Sequence, residues 1–144
     1  MTNTMNWFGW ALASAFFAAL TAILAKIGLQ GVDSDLATLL RTFVIAGTLG
    51  GIVAATGKWQ DPTTLPHRAL AFLVLSGLAT GASWLCYFRA LKLGDASRVA
   101  PVDKLSVLLV AVLAVIFLGE RPSARDWLGI AMVGGGVLVL SLRR

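Results

Sequence analysis

The residues of this chain that can do chemistry are few, and most stand where charge is costly. Lys26, Arg41, Arg89, Asp103 and Lys104 interrupt long apolar runs. In hydrocarbon each needs a partner, water or a headgroup, which makes each a candidate functional residue. For Lys26 and Arg89, close to the ends of their runs, snorkelling to the headgroups is the competing explanation. Arg41 and Lys104 lie one to two turns inside, where structural ion pairing competes with solute contact. Asp103 is the one acid clearly inside a run, since Glu120 stands at an end. Neighbouring helical residues point roughly 100° apart, so Asp103 and Lys104 are not expected to pair with each other. Asp103 is instead expected to meet a base from another helix, Lys26, Arg41 or Arg89, helped by its place near a helix N-terminus.

This surplus of base over acid bears on what is recognised. A proton-exchanging cation exporter needs a carboxylate facing its cavity, and the first apolar run has none. Asp103 beside several bases stays ionised and carries protons poorly. The expected solute therefore bears a carboxylate or another neutral-to-anionic polar group. Polar stripes supply further candidates. Ser14, Ala18, Thr21, Ala25 and Gly28 recur at helical spacing, as do Ser76, Thr80, Ser83 and Tyr87 with Trp84 alongside, and Asp103 shares a face with Ser106. Hydroxyls bonded back to their own helix carbonyls are the competing reading of these stripes. Trp7, Trp10 and Trp127 suit an aromatic belt at the membrane surface; Trp84 and Tyr87 lie deeper and are candidates for touching an organic solute. The substrate-binding and translocation set is thus Thr21, Lys26, Arg41, Thr80, Trp84, Tyr87, Arg89, Asp103, Lys104 and Ser106. The sole His67 sits in a polar connection, with no Ser/His/Asp or metal-ligand pattern in the sequence, so neither an enzyme nor a cofactor or metal is expected.

The elements that carry these residues are membrane helices. With 144 residues, 58% hydrophobic and 13% charged, the chain is too apolar for a soluble domain of its size. Five apolar stretches have the length to cross a bilayer, about 7–29, 36–56, 69–90, 99–118 and 124–142. In the last, the apolar part is Trp127–Leu142, short enough to need flanking residues. The expected fold is an all-α integral membrane protein forming one domain over 1–144. The leader MTNTMN lacks a basic region, so the first span is not expected to be a cleaved signal peptide. Cys86 is the only cysteine, which excludes an intrachain disulfide. The basic residues flank membrane helices, which implies topology control and contact with the lipid bilayer, not nucleic acid.

Punctuation fits this scheme. Asp33-Ser34-Asp35 offers N-caps, Asp61-Pro62 breaks the chain, and Gly94 and Gly119 can end helices. Asp95 or Ser97 can cap the fourth span, Pro101 falls in its first turn, and Ser123-Ala124-Arg125-Asp126 has capping-box form. Gly47-xxx-Gly51, Gly77-xxx-Gly81 and Gly134-Gly135-Gly136 suit close helix packing, or flexibility for alternating access.

The stretch SWLCYFRALKLGDASRVAPVDKLSVLLVAVLAVIFLGERPSARDWLGIAMVGGGVLVL resembles the C-terminal part of an EamA-like repeat of the drug/metabolite transporter superfamily. The resemblance rests on Ala-Leu-x-x-Gly after an aromatic-rich span, Ala-Ser-x-Val-Ala-Pro, Leu-Gly-Glu-Arg, Trp-Leu-Gly and a glycine-rich end. AKIGL closing the first span and Arg41 opening the second extend it over nearly the whole chain. With one repeat, the chain is similar to the single-repeat bacterial/archaeal transporter group. The resemblance implies a transporter of small metabolites in the inner membrane, with a cavity between two inverted five-helix repeats, so a second copy is expected. The chain departs from the related small multidrug resistance proteins in lacking their first-helix glutamate, against proton-coupled cation export.

Charge counts bear on how two copies meet. Eight bases (Lys26, Arg41, Arg89, Lys92, Arg98, Lys104, Arg143, Arg144) fall on the C-terminal side of a five-span topology, and four (Lys58, Arg68, Arg121, Arg125) on the other. Without the four intramembrane bases the count is four against four, which permits both orientations and an antiparallel homodimer. The expected function is a secondary transporter or facilitative exporter. An accessory or assembly subunit of another membrane complex is the competing expectation.

Overall fold

The computed structural model describes residues 6–142; Arg143, Arg144 and the leader before Asn6 lie outside the described residues. The described residues are all-helical, with five helical stretches long and apolar enough to span a membrane. Large apolar side chains stand fully outward along them, Trp7 at 80% and Phe117 at 78% exposure, a surface suited to lipid or to a partner protein. Chain contacts divide the protein into two units, residues 24–93 and a second that joins the residues up to 23 with those from 94 onward. The first helix, α1 (Trp7–Gly28), crosses that boundary.

In the 24–93 unit, α2 (Ser34–Ala55) packs antiparallel against α3 (His67–Leu93). Asp33 starts α2 from an extended backbone, its carboxylate accepting the N–H groups of Asp35 (2.9 Å) and Leu36 (3.1 Å). Two orphan donors of the first turn are thereby satisfied. Gly57, at φ +64°, ends α2: its N–H donates to the Ala54 carbonyl and that of Lys58 to the Val53 carbonyl, both at 3.1 Å. A side chain there would be strained, which is why glycine closes the helix. A short 3₁₀ turn, Pro62–Thr64, follows under Asp61. Asp61 accepts the Thr63 N–H (2.9 Å) and its hydroxyl (2.8 Å), and these bonds hold its carboxyl below the ordinary value. Within α2, the Thr38 and Thr42 hydroxyls donate to the carbonyls four residues back, each at 2.8 Å, which satisfies both donors within the helix. The third helix starts two residues before the expected 69–90 and runs three residues past it.

In the other unit, the expected single helix over 99–118 is interrupted. It consists of α4 (Ala96–Asp103), α5 (Ser106–Leu113) and a π-helical turn, Ala114–Leu118. At the break the i−4 ladder tightens: the N–H groups of Lys104, Leu105, Val107 and Leu108 each donate three residues back, at 2.9–3.1 Å. The cause is upstream. The helix starts at Ala96, with Asp95 as the cap residue by backbone conformation although its side chain makes no cap bond. Pro101 is therefore interior and not in the first turn, a correction to the sequence expectation. An interior proline lacks the N–H for the i−4 bond and crowds the preceding turn, and the ladder fails two residues later. Gly119, left-handed at φ +68°, ends the π turn. The capping box then starts α6 (Ala124–Leu142): Ser123 donates N–H and hydroxyl to Asp126 at 2.8 and 2.7 Å, and the Asp126 N–H returns to Ser123 Oγ at 3.3 Å. Aspartate serves where glutamate is usual. The sixth helix packs on both α4 and α5. A Cβ at Gly134 would stand 2.8 Å from a Leu108 methyl, so this glycine sets how closely α5 and α6 approach.

Candidate functional site

The seam between α2 and α3 gathers most of the intramembrane charge. Pairs along it follow one antiparallel register. At its mouth, Lys92 Nζ donates to the Val32 carbonyl at 2.9 Å. One turn deeper, Arg89 grips Asp35 with a two-armed contact, Nε to Oδ1 at 2.9 Å and Nη2 to Oδ2 at 2.6 Å. Deeper again, the Arg41 guanidinium lies over Trp84, 4.5 Å from the ring centroid, and 5.2 Å from that of Phe88. Lys26 reaches the seam from α1, donating to the Leu91 carbonyl at 2.6 Å near the end of α3.

Each contact has a local cause. The Leu91 carbonyl lies in the last turn of α3, where helix carbonyls lose their own partners, and the Val32 carbonyl in the connection before α2; lysine supplies a donor to each. Because Asp33 does the capping, Asp35, two residues on in the same first turn, is left to face α3. Its two-armed contact with Arg89 is one that arginine makes and lysine does not. The two side chains are 59% and 46% exposed, so the pair is reachable from outside the fold. Arg41 is different. It is half-buried, and among the described residues no carboxylate pairs with it. The rings stabilise its charge, by about 0.5–1 kcal/mol when wet and about 2 when desolvated, but offer no lone pairs to its N–H donors. Phe88, only 2% exposed, fixes the floor of this shelf. Tyr87 stands half-buried beside it, its ring edge-on to Phe88 with centroids 6.4 Å apart.

Of the ten sequence candidates, Lys26, Arg41, Trp84, Tyr87 and Arg89 fall together at this end of the 24–93 unit. Thr80, farther along α3, donates its hydroxyl to the Ser76 carbonyl at 2.9 Å, the self-satisfying arrangement that competed with a solute role. Asp103, Lys104 and Ser106 lie at the α4–α5 break, and Thr21 is half-buried on α1. Here the geometry corrects the sequence reading: Asp103 and Lys104 do pair, Lys104 Nζ lying 3.1 Å from Asp103 Oδ2. The expectation assumed a continuous helix. The helix stops at Asp103, and the long lysine stem from the turn reaches back to its neighbour. The expected partners of Asp103 are engaged within their own unit, Arg89 by Asp35, Arg41 by the rings and Lys26 by a carbonyl.

The residue missed by the sequence reading is Asp35, taken there only as a cap. The available signal was the duplication Asp33-x-Asp35: a helix start uses one side-chain cap, and the second acid lies opposite Arg89 once α2 and α3 form a hairpin.

Comparison with known proteins agrees with a membrane transport role. The chain matches the EamA-like transporter family over residues 5–142. It is 58% identical over 139 residues to a Sinorhizobium sp. protein named "Uncharacterized transporter in cobO 3'region", covering 96% of this chain and 99% of that one. It is 29% identical over 84 residues to a Yersinia pestis (strain Pestoides F) protein named probable 4-amino-4-deoxy-L-arabinose-phosphoundecaprenol flippase subunit ArnE, covering 58% of this chain and 74% of that one. No solved structure matches the chain.

Proposed function

Because the chain belongs to the EamA-like transporter family and is a multi-pass inner-membrane protein, we propose that it is a secondary transporter or facilitative exporter of small organic metabolites. It works as a dimer, each copy contributing the whole of 1–144 as one five-helix repeat around a shared cavity. The observation that carries this reading is Arg41 over Trp84 and Phe88, a cation inside an apolar helix with no carboxylate partner among the described residues. A fixed charge kept at such a place without a resident counter-ion suits a group that meets passing solute. Lys26, Tyr87 and Arg89 flank it. Thr21, Thr80, Asp103, Lys104 and Ser106 complete the proposed path. The near-balance of basic residues outside the spans supports two copies in opposite orientations.

A solute screen in proteoliposomes tests this, with Asp103→Asn as a control. Saturable transport reduced by the variant supports it; transport indifferent to the variant removes Asp103 from the path. Reporter fusions at the C-terminus that show only cytoplasmic placement would exclude the antiparallel dimer.

The word "subunit" in the name of the Yersinia relative favours a second reading, an accessory component of a larger membrane complex. Cysteines placed along Ser76–Tyr87 separate the two. A face closed to water-soluble thiol reagents from both sides supports the accessory role.

A further inference from the structure

The α2–α3 seam holds three bases, Arg41, Arg89 and Lys92, against one acid between its helices, Asp35. Lys92 is committed to a backbone carbonyl, and Arg89 to Asp35. Of the three, Arg41 alone has no hydrogen-bond or ion-pair partner among the described residues, and it lies about 9 Å farther along α2 than Asp35, six residues at about 1.5 Å each. We infer that Arg41 on its Trp84–Phe88 shelf is a binding site for an anionic oxygen group, carboxylate or phosphate, and that Asp35 is a resident anion competing with the ligand for Arg89. The inference rests on the transport reading and adds to it the chemistry of the solute and a residue outside the proposed path.

The physical reasons are three. A guanidinium needs an acceptor that aromatic rings do not supply, and carboxylate and phosphate match its fork. Arg89 is bound through two exposed contacts, which an arriving anion can exchange one arm at a time without exposing a bare charge. Asp35 sits on the outer side of Arg41 along α2, so a group approaching along the seam passes the Arg89–Asp35 pair first. That pair then acts as a latch, closed by Asp35 when no anion is present.

Trp84 gives a direct readout, because an anion on Arg41 changes the field at the ring beneath it. Inorganic phosphate, and separately acetate, are titrated into the full chain in phosphatidylcholine nanodiscs, and the fluorescence is compared with that of Trp84→Phe. A saturable, Trp84-dependent change is expected. Arg41→Gln weakens binding at least about tenfold, the scale of one charge-assisted fork. Arg41→Lys keeps the charge and loses the fork, giving an intermediate affinity. Asp35→Asn frees Arg89 and tightens binding, by about three- to tenfold if one charge-assisted contact becomes available. That gain is not an outcome that misfolding produces.

A third arm replaces part of the phosphatidylcholine with phosphatidylglycerol and omits the soluble anion. A Trp84-dependent change there, absent with phosphate and acetate, supports the site and identifies its ligand as a lipid headgroup. No Trp84-dependent change in any arm, or one unaltered in both Arg41→Gln and Asp35→Asn, overturns the inference. Because this is a binding measurement, its failure beside intact transport removes the anion site alone, whereas binding without transport removes the transport reading.

Discussion

Arg89 and Asp35, far apart in sequence, form a two-armed ion pair that joins α3 to the first turn of α2. The same antiparallel register places Lys92 at Val32 and Arg41 at Trp84. Three contacts of different chemistry thus agree on one alignment of the hairpin.

If the pair sets that alignment, its charges are exchangeable. Asp35→Arg and Arg89→Asp are each expected to lower the thermal midpoint in mild detergent, since each places like charges together. The double variant recovers most of the loss. Thermal unfolding followed by size-exclusion chromatography checks this; a double variant no better than the worse single one would show that the pair does not fix the seam.

The α5–α6 approach depends on one glycine of three. A methyl at Gly134 meets Leu108 at once, whereas Gly135 and Gly136 have nothing within 4 Å of the equivalent position. Gly134→Val is expected to destabilise by about 1–3 kcal/mol through overpacking, with Gly134→Ala less severe because the leucine methyls can shift. Gly135→Ala and Gly136→Ala change little. Leu108→Ala in the Gly134→Val background recovers part of the loss, measured by chemical denaturation.

The connection after α2 carries a small pH dependence. Hydrogen bonds from Thr63 depress the Asp61 carboxyl in the folded protein. A depressed folded value means the stabilisation is complete above the unfolded carboxylate value, about 3.9, and is lost as pH falls through the folded value. Wild type is therefore expected to lose more stability than Asp61→Asn on acidification below about pH 4, with no difference in trend between pH 5 and 8. Melting temperatures of both proteins across that range check the sign.

The break in the fourth span has a kinetic signature. Amides of Lys104, Leu105, Val107 and Leu108 are held by three-residue bonds of poorer geometry. Hydrogen exchange in nanodiscs is expected to be faster at 104–108 than along 109–113, and Pro101→Ala narrows the gap by restoring a missing donor upstream. Uniform protection from 96 to 113 would contradict the interruption.

Much of this was legible in the sequence, for identifiable reasons. Long apolar runs leave a membrane helix little alternative, and Gly119 and the Ser123–Asp126 box end or begin helices through local bonds. Arg41 and Trp84 stood out as polar or aromatic intrusions into such runs. Two things were not legible. The Arg89–Asp35 pair depends on hairpin register, which no local pattern in either helix specifies. The Asp103–Lys104 contact depends on where a helix breaks, and that followed from a start at Ala96, three residues before the apolar run begins. Helix geometry applied to an assumed continuous helix gave the wrong answer there.

The central claim is that this chain moves an organic solute along a path that includes Arg41. Its most direct test is uptake of radiolabelled small organic acids by proteoliposomes containing wild type or Arg41→Gln, against protein-free vesicles. Saturable uptake by wild type above the empty vesicles, reduced at least about tenfold by Arg41→Gln, is the predicted result. Uptake no greater than in empty vesicles, or equal in the two proteins, would contradict it.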